Sequence, residues 1–336
     1  MKVTFLTRWN GGLYFGGAEV QALQTASALQ ELGVPVEILH PFTREVGDIV
    51  HAFSSYREYY SIQHYCKQRG KKFILSTIFY RDISSVAKRV RYYLDTKLTT
   101  SRKVRRTRSL FRNSDLLLPN SRTEAEQVHR LFRVPHSKIS VVPNGVEARF
   151  AQADPSLFRK ETGIKEPFVL NVGRIEQRKN QLRLIQALRG TKIPLVHIGH
   201  AVDSDYQALC KEIAGDEVYF LPPIPHESPL LASAYSACRV FALPSILETP
   251  GLSALEAGVA GARIVVTPYG GAREYFGDFA FYPNPTSVKD IREAILQAWE
   301  ATIDTHAQSQ YLLQNFEWKV VAQRTLECYH RVLAES

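Results

Sequence analysis

Two glutamates stand eight positions apart where an apolar run gives way to a helical pattern. Residues 243–256 read LPSILETPGLSALE, which places Glu248 in a loop and Glu256 within the helix. The pattern predicts Thr249 as the N-cap residue and Pro250 as the first helical residue, where a missing N–H costs nothing. The next residues would then direct free N–H groups out of the positive end of the helix: Gly251, Leu252 and Ser253. Such an end can bind an anion, although a capped amphipathic helix without a ligand fits the same residues.

A second candidate loop, residues 173–180 (GRIEQRKN), follows another apolar run. It carries Arg174 and Lys179 at the carboxyl end of a predicted strand, where ligands of parallel α/β sheets gather. Two cations and a helix N-terminus that converge on one site can hold a diphosphate without a metal ion. The alternative interpretation is a solvated basic loop.

The first strand-to-helix turn contains Gly16 and Gly17, followed by Ala18 and Glu19. Glycine at this place lets the backbone approach a ligand, or serves the turn alone. The stretch does not match the Gly-x-Gly-x-x-Gly pattern of dinucleotide-binding proteins, which argues against a dehydrogenase.

The elements that must position these residues alternate between short apolar runs and helical patterns, which is typical of parallel α/β architecture. Strands are expected at 3–6, 36–39, 49–52, 73–76, 116–119 and 139–142, and in a second series at 168–172, 195–198, 218–221, 240–243 and 263–266. Ser121 and Glu124 form a predicted capping box. We therefore predict two Rossmann-like domains that face each other across a cleft. The first comprises residues 1–150 with a closing helix at about 316–336, the second residues 165–315, and a linker lies at about 148–166.

Composition agrees with this organisation, because 336 residues are about twice the ~150 of a typical domain. Hydrophobic residues make up 45% of the chain, which is typical of a globular protein. The N-terminal apolar run ends at Arg8, too early for a secretory signal, and no stretch approaches the ~20 apolar residues of a membrane span. The four cysteines lack metal-ligand or redox-pair spacing. We expect a cytoplasmic protein with reduced thiols.

The net charge of +9 is concentrated in one segment, from Arg81 to Arg112. This segment contains eleven Lys or Arg residues against Asp82 and Asp95, so the remainder of the chain is neutral. One hypothesis is that it contacts anionic lipid headgroups at the inner face of a membrane. A solvated helix pair is the alternative, and nucleic acid is not expected as a partner because no nucleic-acid-binding motif accompanies the charge.

Taken together, these motifs resemble glycosyltransferase family 4, the retaining enzymes of the two-domain GT-B fold. The resemblance extends over nearly the whole chain. It is carried by Gly16-Gly17-Ala18-Glu19, by residues 142–146 (VPNGV), by Arg174 and Lys179 as the phosphate-binding pair, by Glu248 and Glu256 as the Glu-x7-Glu signature, and by residues 270–274 (GGARE) and 316–318 (FEW).

The resemblance implies a donor site for a nucleotide-diphosphate sugar, which is a substrate, and neither a cofactor nor a metal. Arg174 and Lys179 would neutralise the departing diphosphate together with the N–H groups of residues 251–253. Glu248 would position the transferred sugar, and Glu256 would accept hydrogen bonds from the ribose. The backbone from Leu221 to Ile224 would border the base.

The resemblance also implies transfer to a glycan or lipid-linked acceptor, in cell-surface polysaccharide or glycolipid synthesis. His51 is similar to a family histidine near the reaction centre, although a packed structural histidine fits equally well. Phe79 falls where many relatives have a histidine, and Thr249 replaces a common glycine. These departures keep two alternatives open: a catalytically impaired nucleotide-sugar-binding protein and a sugar-nucleotide epimerase of the same fold.

Overall fold

The computed structural model describes residues 1–8, 16–56, 58–80, 102–249 and 251–335, without the side chains of 102–104. In these residues the strands are β1 (Val3–Leu6), β2 (Val36–Ile38), β3 (Ile49–Phe53), β4 (Lys72–Ser76), β5 (Leu116–Leu118), β6 (Val169–Val172), β7 (Leu195–Ile198), β8 (Val218–Leu221), β9 (Val240–Leu243), β10 (Arg263–Val266) and β11 (Ala280–Phe281). The α-helices are α1 (Gly17–Glu31), α2 (Tyr59–Gln68), α3 (Arg102–Asn113), α4 (Arg122–Phe132), α5 (Ser156–Thr162), α6 (Gln181–Leu188), α7 (Ser204–Ile213), α8 (Pro229–Ala237), α9 (Leu252–Val259), α10 (Ala272–Phe276), α11 (Val288–Glu300), α12 (Thr305–Phe316) and α13 (Trp318–Ala334).

The chain divides into two compact units. Unit 1 is Met1–Gly145 with Trp318–Ser336, and unit 2 is Val146–Glu317. The described residues of unit 1 form a parallel sheet in the order β2-β1-β3-β4-β5, and α13 packs against α1. The central strands are almost wholly apolar and buried, as expected for parallel strands covered by helices on both faces.

Unit 2 contains a parallel sheet in the order β11-β10-β9-β6-β7-β8. Its two faces have separate apolar cores, one around Leu170 and Phe241 and the other around Val169 and Val240. The chain builds outward from β6 through β7 to β8, then returns to place β9 on the other side of β6. The strand order therefore reverses between β6 and β9, which pair at Val169 with Val240 and at Leu170 with Phe241.

Most predicted strands are confirmed, and the differences lie at the edges. Residues 139–142 form no strand, because Ile139 makes only an isolated bridge to Leu117. The edge strand β11 was not predicted, since two residues carry no periodic signal. Ser121 caps α4 by accepting from Glu124 N at 3.0 Å, and the Glu124 carboxylate accepts from the backbone N–H groups of Phe79 at 2.7 Å and Asn120 at 2.9 Å.

The segment expected to form the linker, residues 148–166, contains α5 and a short 3-10 helix, Ala148–Gln152. Phe150 and Phe158 from these helices are buried in the core of unit 2. The preceding Pro-Asn-Gly turn ends at Gly145, where an added Cβ would lie 2.3 Å from the ring of Trp318. Glycine is required at this position because the indole packs directly on the backbone.

Candidate functional site

The carboxyl ends of β6 and β9 lie side by side where the strand order of unit 2 reverses. The loops that follow them, residues 173–180 and 244–249, are joined by hydrogen bonds. Ile246 N donates to Arg178 O at 2.9 Å, and Asn180 Nδ2 donates to Pro244 O at 2.8 Å. Ligands of open parallel α/β sheets bind at such a reversal, so this edge is the candidate site.

Glu248 is buried at this edge, with 6% of its surface exposed, and accepts hydrogen bonds from two cations. Lys179 Nζ lies 2.7 Å from Glu248 Oε1, and Arg178 Nη1 lies 3.4 Å from the same atom. Burial alone would raise the pKa of Glu248, but the charges of Lys179 and Arg178 outweigh burial and lower that pKa. The carboxylate therefore remains ionised and holds both cations at the strand ends.

Arg174 joins this group through Glu176. Arg174 Nη2 lies 3.5 Å from Glu176 Oε1, and Arg178 Nη2 lies 2.9 Å from the same oxygen. The Arg174 side chain is 47% exposed and open to a ligand, whereas that of Lys179 is 13% exposed and lies against Glu248. We refer to Arg174, Glu176, Arg178, Lys179 and Glu248 as the cation cluster.

Helix α9 begins beside the cation cluster, but later than the sequence predicted. Its N-cap residue is Gly251, at φ +87°, and its first residue is Leu252, so the predicted N-cap at Thr249 is wrong. A Cβ on Gly251 would lie 2.8 Å from Leu243 Cδ2. Only glycine suits both this space and the left-handed conformation. Thr249 is partly buried in the bend before the helix, and Pro250 lies outside the described residues.

The positive end of α9 borders the cation cluster. The helical hydrogen bonds begin with Ala254 N, which donates to Gly251 O at 2.9 Å, so the N–H groups of Leu252 and Ser253 precede them. Ser253 Oγ donates to Val172 O at 3.2 Å, which ties the helix start to the end of β6. The Glu248 carboxylate is also close, since a Cβ on Gly251 would lie 3.5 Å from Glu248 Oε2. The arrangement is suited to binding an anion.

The backbone of Glu248 is fixed by the loop after β10. Glu248 N donates to Tyr269 O at 3.1 Å, and Gly271 N donates to Glu248 O at 3.0 Å. Gly270 has φ +106°, and a Cβ there would lie 1.7 Å from Glu248 O. Gly270 and Gly271, which are part of the family resemblance, thus permit a close backbone contact that holds Glu248 in place.

Glu256 is buried in α9 with both carboxylate oxygens engaged. Tyr235 Oη donates to Oε2 at 2.7 Å, and His226 Nε2 lies 3.0 Å from Oε1. His226 belongs to the loop after β8, where Leu221 and Ile224 pack partly buried against the core. His226 of this loop therefore lies beside Glu256, and the role of residues 221–224 in bordering the base stays a prediction. Sequence reasoning missed His226 and Tyr235, because no motif or spacing connects them to the two glutamates, and it did not single out Arg178 within the candidate loop 173–180.

His51 lies in β3 of unit 1 and is 1% exposed. Its Nδ1 is 2.6 Å from Tyr329 Oη, and its Nε2 is 2.9 Å from Ser76 Oγ. Burial lowers the pKa of His51 to about 3, so the ring is neutral. These contacts are those of a packed histidine, and a role of His51 near the reaction centre stays a prediction.

The glycine turn of unit 1 is partly described. Gly16 is the N-cap residue of α1 and Gly17 is its first residue, while residues 9–15 lie outside the described part of the chain. Glu19, in the first turn, accepts hydrogen bonds from Arg8 Nη2 at 2.8 Å and Arg8 Nε at 2.9 Å. Both nitrogens donate to the same oxygen, Glu19 Oε1, and hold this glutamate beside the end of β1.

Phe79 is buried among Phe111 and Phe132, so the fold accommodates an apolar ring at this position. In the basic segment, residues 81–101 lie outside the described residues. Arg105 and Arg106, on α3, are exposed and line a cavity of about 300 Å³ with Tyr60 and Ser109.

Across the described ranges, no three His, Cys, Asp or Glu side chains are grouped as metal ligands would be. Within the same ranges, every helix is too short or too polar to cross a bilayer. The cysteines are free thiols.

Two family models match the chain. The model of glycosyl transferases group 1 matches residues 155–312, and that of Glycosyltransferase Family 4 matches residues 47–150. The D-inositol 3-phosphate glycosyltransferase of Mycobacteroides abscessus is 28% identical over 248 residues, 66% of this chain and 53% of that protein. A glycosyltransferase of Methanocaldococcus jannaschii is 27% identical over 230 residues, 62% of this chain and 58% of that protein. The chain thus spans somewhat over half the length of these curated relatives.

Solved structures resemble the whole chain. Sucrose-phosphate synthase from Thermosynechococcus elongatus has a TM-score of 0.80 at 18% identity, with all of both chains covered. Anabaena HepE in complex with UDP and glucose has a TM-score of 0.72 at 18% identity, covering 98% of this chain and 99% of its own. These likenesses confirm the predicted α/β GT-B fold. The family resemblance found in the motifs is confirmed as well: the chain belongs to the glycosyltransferases of group 1 and family 4.

Proposed function

We propose that this chain is a retaining, metal-independent glycosyltransferase that takes a sugar from a nucleotide diphosphate. The observation that carries the proposal is the cation cluster at the strand reversal of unit 2, bordered by the start of α9. Its three cations exceed its two carboxylates, and the helix end adds roughly half a positive charge. A departing diphosphate gains negative charge, which preorganised cations and N–H groups stabilise. HepE, a structural neighbour, is described with UDP-glucose bound, which supports a donor of this class.

Each site residue has a role in this proposal. Arg174 and Lys179 contact the diphosphate, and Lys179 is then shared between the diphosphate and Glu248. The N–H groups of Leu252 and Ser253 contact the same phosphates. Glu248 positions the transferred sugar by accepting from its hydroxyl groups. Loss of one contact that stabilises the transition state raises the barrier by about 3 kcal/mol.

Glu256 holds the ribose in the same proposal. A carboxylate has about four lone-pair sites, and Tyr235 and His226 use one on each oxygen. The remaining sites can accept hydrogen bonds from two ribose hydroxyl groups. The backbone from Leu221 to Ile224 then borders the base, and the acceptor attacks the sugar on the face from which the diphosphate leaves.

We also propose that the acceptor is a glycan or a lipid-linked molecule of cell-surface polysaccharide or glycolipid synthesis, reached at the inner face of the membrane. Helix α3 supports this idea, because Leu110 and Phe111 are buried while Arg105 and Arg106 are exposed. Each basic residue near an anionic surface contributes about 1 kcal/mol. Liposome flotation tests the idea: binding to vesicles with phosphatidylglycerol but not to neutral vesicles supports it, and equal binding to both refutes it.

A donor screen tests the transferase itself. Thermal shift against UDP, GDP, ADP and dTDP sugars should identify a stabilising donor, and sugar release should follow with that donor. NMR of the first product should show the donor's anomeric configuration. Stabilisation without turnover would support the catalytically impaired binding protein, and conversion of the donor to its epimer without acceptor would support the epimerase. If no sugar nucleotide stabilises the protein, the proposed function is wrong.

A further inference from the structure

His226 lies between two carboxylates of unit 2. Its Nε2 is 3.0 Å from Glu256 Oε1, and its Nδ1 is 3.6 Å from Glu147 Oε2. Arg149 pairs with Glu147 at 3.2 Å and donates to the backbone oxygen of His226 at 2.7 Å. The Phe150 ring packs edge-on against the imidazole, with centroids 5.9 Å apart. With 20% of the side chain exposed, its orientation is set mainly by protein groups.

We propose that His226 is a positioning residue, which in its charged form orients the Glu256 carboxylate toward the ribose of the donor. The inference rests on the proposed function, in which Glu256 accepts hydrogen bonds from ribose. His226 and Tyr235 approach different oxygens of Glu256, so together they restrict its rotation. In this proposal the loop that borders the base also fixes, through His226, the Glu256 carboxylate that binds the ribose.

The charge of His226 is central because both ring nitrogens face a carboxylate. Its hydrogen bond to Glu256 raises the pKa of His226 against the opposing effect of burial, and Glu147 raises that pKa further while Arg149 lowers it. Tyr235 donates to the other oxygen of Glu256, and its ring packs edge-on against Phe150. A neutral imidazole donates from one nitrogen alone. As pH rises through this pKa, one nitrogen presents a lone pair to a carboxylate, and the contact with Glu256 changes from an ion pair to a weaker hydrogen bond from a neutral imidazole.

Nucleotide titrations from pH 6 to pH 9 test the inference. UDP, GDP, ADP and dTDP are titrated in parallel into the wild-type protein and into His226→Gln, His226→Leu and Tyr235→Phe. Glutamine keeps an N–H donor close to the place of Nε2 but cannot gain a proton. The phosphates of the nucleotide also titrate near pH 6, so His226→Gln provides the reference for that common effect.

We expect the wild-type affinity to fall about fivefold more than that of His226→Gln over this range, because the wild-type imidazole loses its positive charge and holds the Glu256 carboxylate less strongly, whereas glutamine does not titrate. His226→Leu should bind about tenfold more weakly than wild type at pH 6, the loss of one hydrogen bond to a charged group. Tyr235→Phe should weaken binding but keep the wild-type pH dependence, because the titrating ring is retained.

The outcomes separate this inference from the function on which it rests. The donor site stands if wild type binds a nucleotide and Glu256→Gln binds it more weakly. In that case the role of His226 is refuted by either of two results: His226→Gln shows the wild-type pH dependence, or His226→Leu binds as tightly as wild type. If wild type binds none of the four nucleotides at any pH, the proposed function and the role of His226 fail together.

Discussion

The pair of Lys179 and Glu248 offers a quantitative test of the cation cluster. Replacing Lys179 by Met keeps most of the side-chain volume and removes the ammonium group 2.7 Å from Glu248 Oε1. Replacing Glu248 by Gln removes the carboxylate charge and keeps its shape. Both side chains are largely buried, at 13% and 7% exposure, so neither change can be compensated freely by water.

The expected loss in the free energy of unfolding depends on which charges remain paired after each substitution. Breaking a fully buried ion pair by removing one partner costs about 3–5 kcal/mol. Lys179→Met leaves Glu248 with Arg178, at 3.4 Å, so we expect a smaller loss of about 2–3 kcal/mol. Glu248→Gln should cost about 2 kcal/mol, because the Lys179 chain can turn its charge toward water. The double variant leaves neither buried charge unpaired, so its loss should fall below the sum of the single losses by about 2 kcal/mol.

Hydrogen exchange of the β9 and α9 peptides in a urea series is the assay, since it reports unit 2 separately from unit 1. Lys289→Met is the matched control, because the pair of Lys289 and Glu293 is exposed at 81% and 57% and should contribute under about 0.5 kcal/mol. The pKa of Glu248 is lowered in the folded state. The free energy of unfolding of wild type should therefore exceed that of Glu248→Gln above pH 4.5, the ordinary pKa of glutamate. This difference should disappear as pH falls through the lowered pKa. If the double variant loses as much stability as the sum of Lys179→Met and Glu248→Gln, the coupling between Lys179 and Glu248 is refuted.

Two further changes test the supports of each unit. Gly270→Ala should destabilise unit 2 by at least about 3 kcal/mol, because the added Cβ would overlap Glu248 O. The midpoint of thermal unfolding of unit 2 should fall by about 6–12 °C. The control is Gly190→Ala, which should cost only about 1 kcal/mol, because Gly190 has φ +77° but open space around it. Equal melting temperatures of the two variants would contradict the close contact between Gly270 and Glu248 O. His51 is neutral when folded, with a pKa of about 3, so unit 1 should lose about 1.4 kcal/mol per pH unit as pH falls below 6.5. His51→Asn should reduce that slope in exchange of the β3 peptides, and an unchanged slope would show that another group titrates.

The sequence predicted the strands and candidate loops well, because buried parallel strands are continuous apolar runs. Glu248 and Lys179 could be selected from their positions at strand ends, but their contact could not. It depends on β6 and β9 being neighbours, although 69 positions separate the two side chains. The wrong N-cap has a local cause: Gly251 adopts a left-handed conformation that Thr249 and Pro250 do not suggest from composition.

Other parts of the site had no signal in the sequence. His226 lies 30 positions from Glu256, and Glu147 lies at the end of the segment that the sequence predicted as the first domain, residues 1–150. A single histidine in a proline-rich loop carries no spacing information, so only the fold shows that it lies between two carboxylates. His51 is the opposite case: its type suggested chemistry, whereas its contacts with Tyr329 and Ser76 enclose it.

Isothermal titration of the stabilising nucleoside diphosphate tests the central claim most directly. Arg174→Ala and Lys179→Ala should each weaken binding by about tenfold to a hundredfold, the loss of one charged hydrogen bond to phosphate, while Lys289→Ala should bind as wild type. If both variants at the cluster bind within twofold of wild type while remaining folded, the diphosphate does not bind at the strand reversal of unit 2.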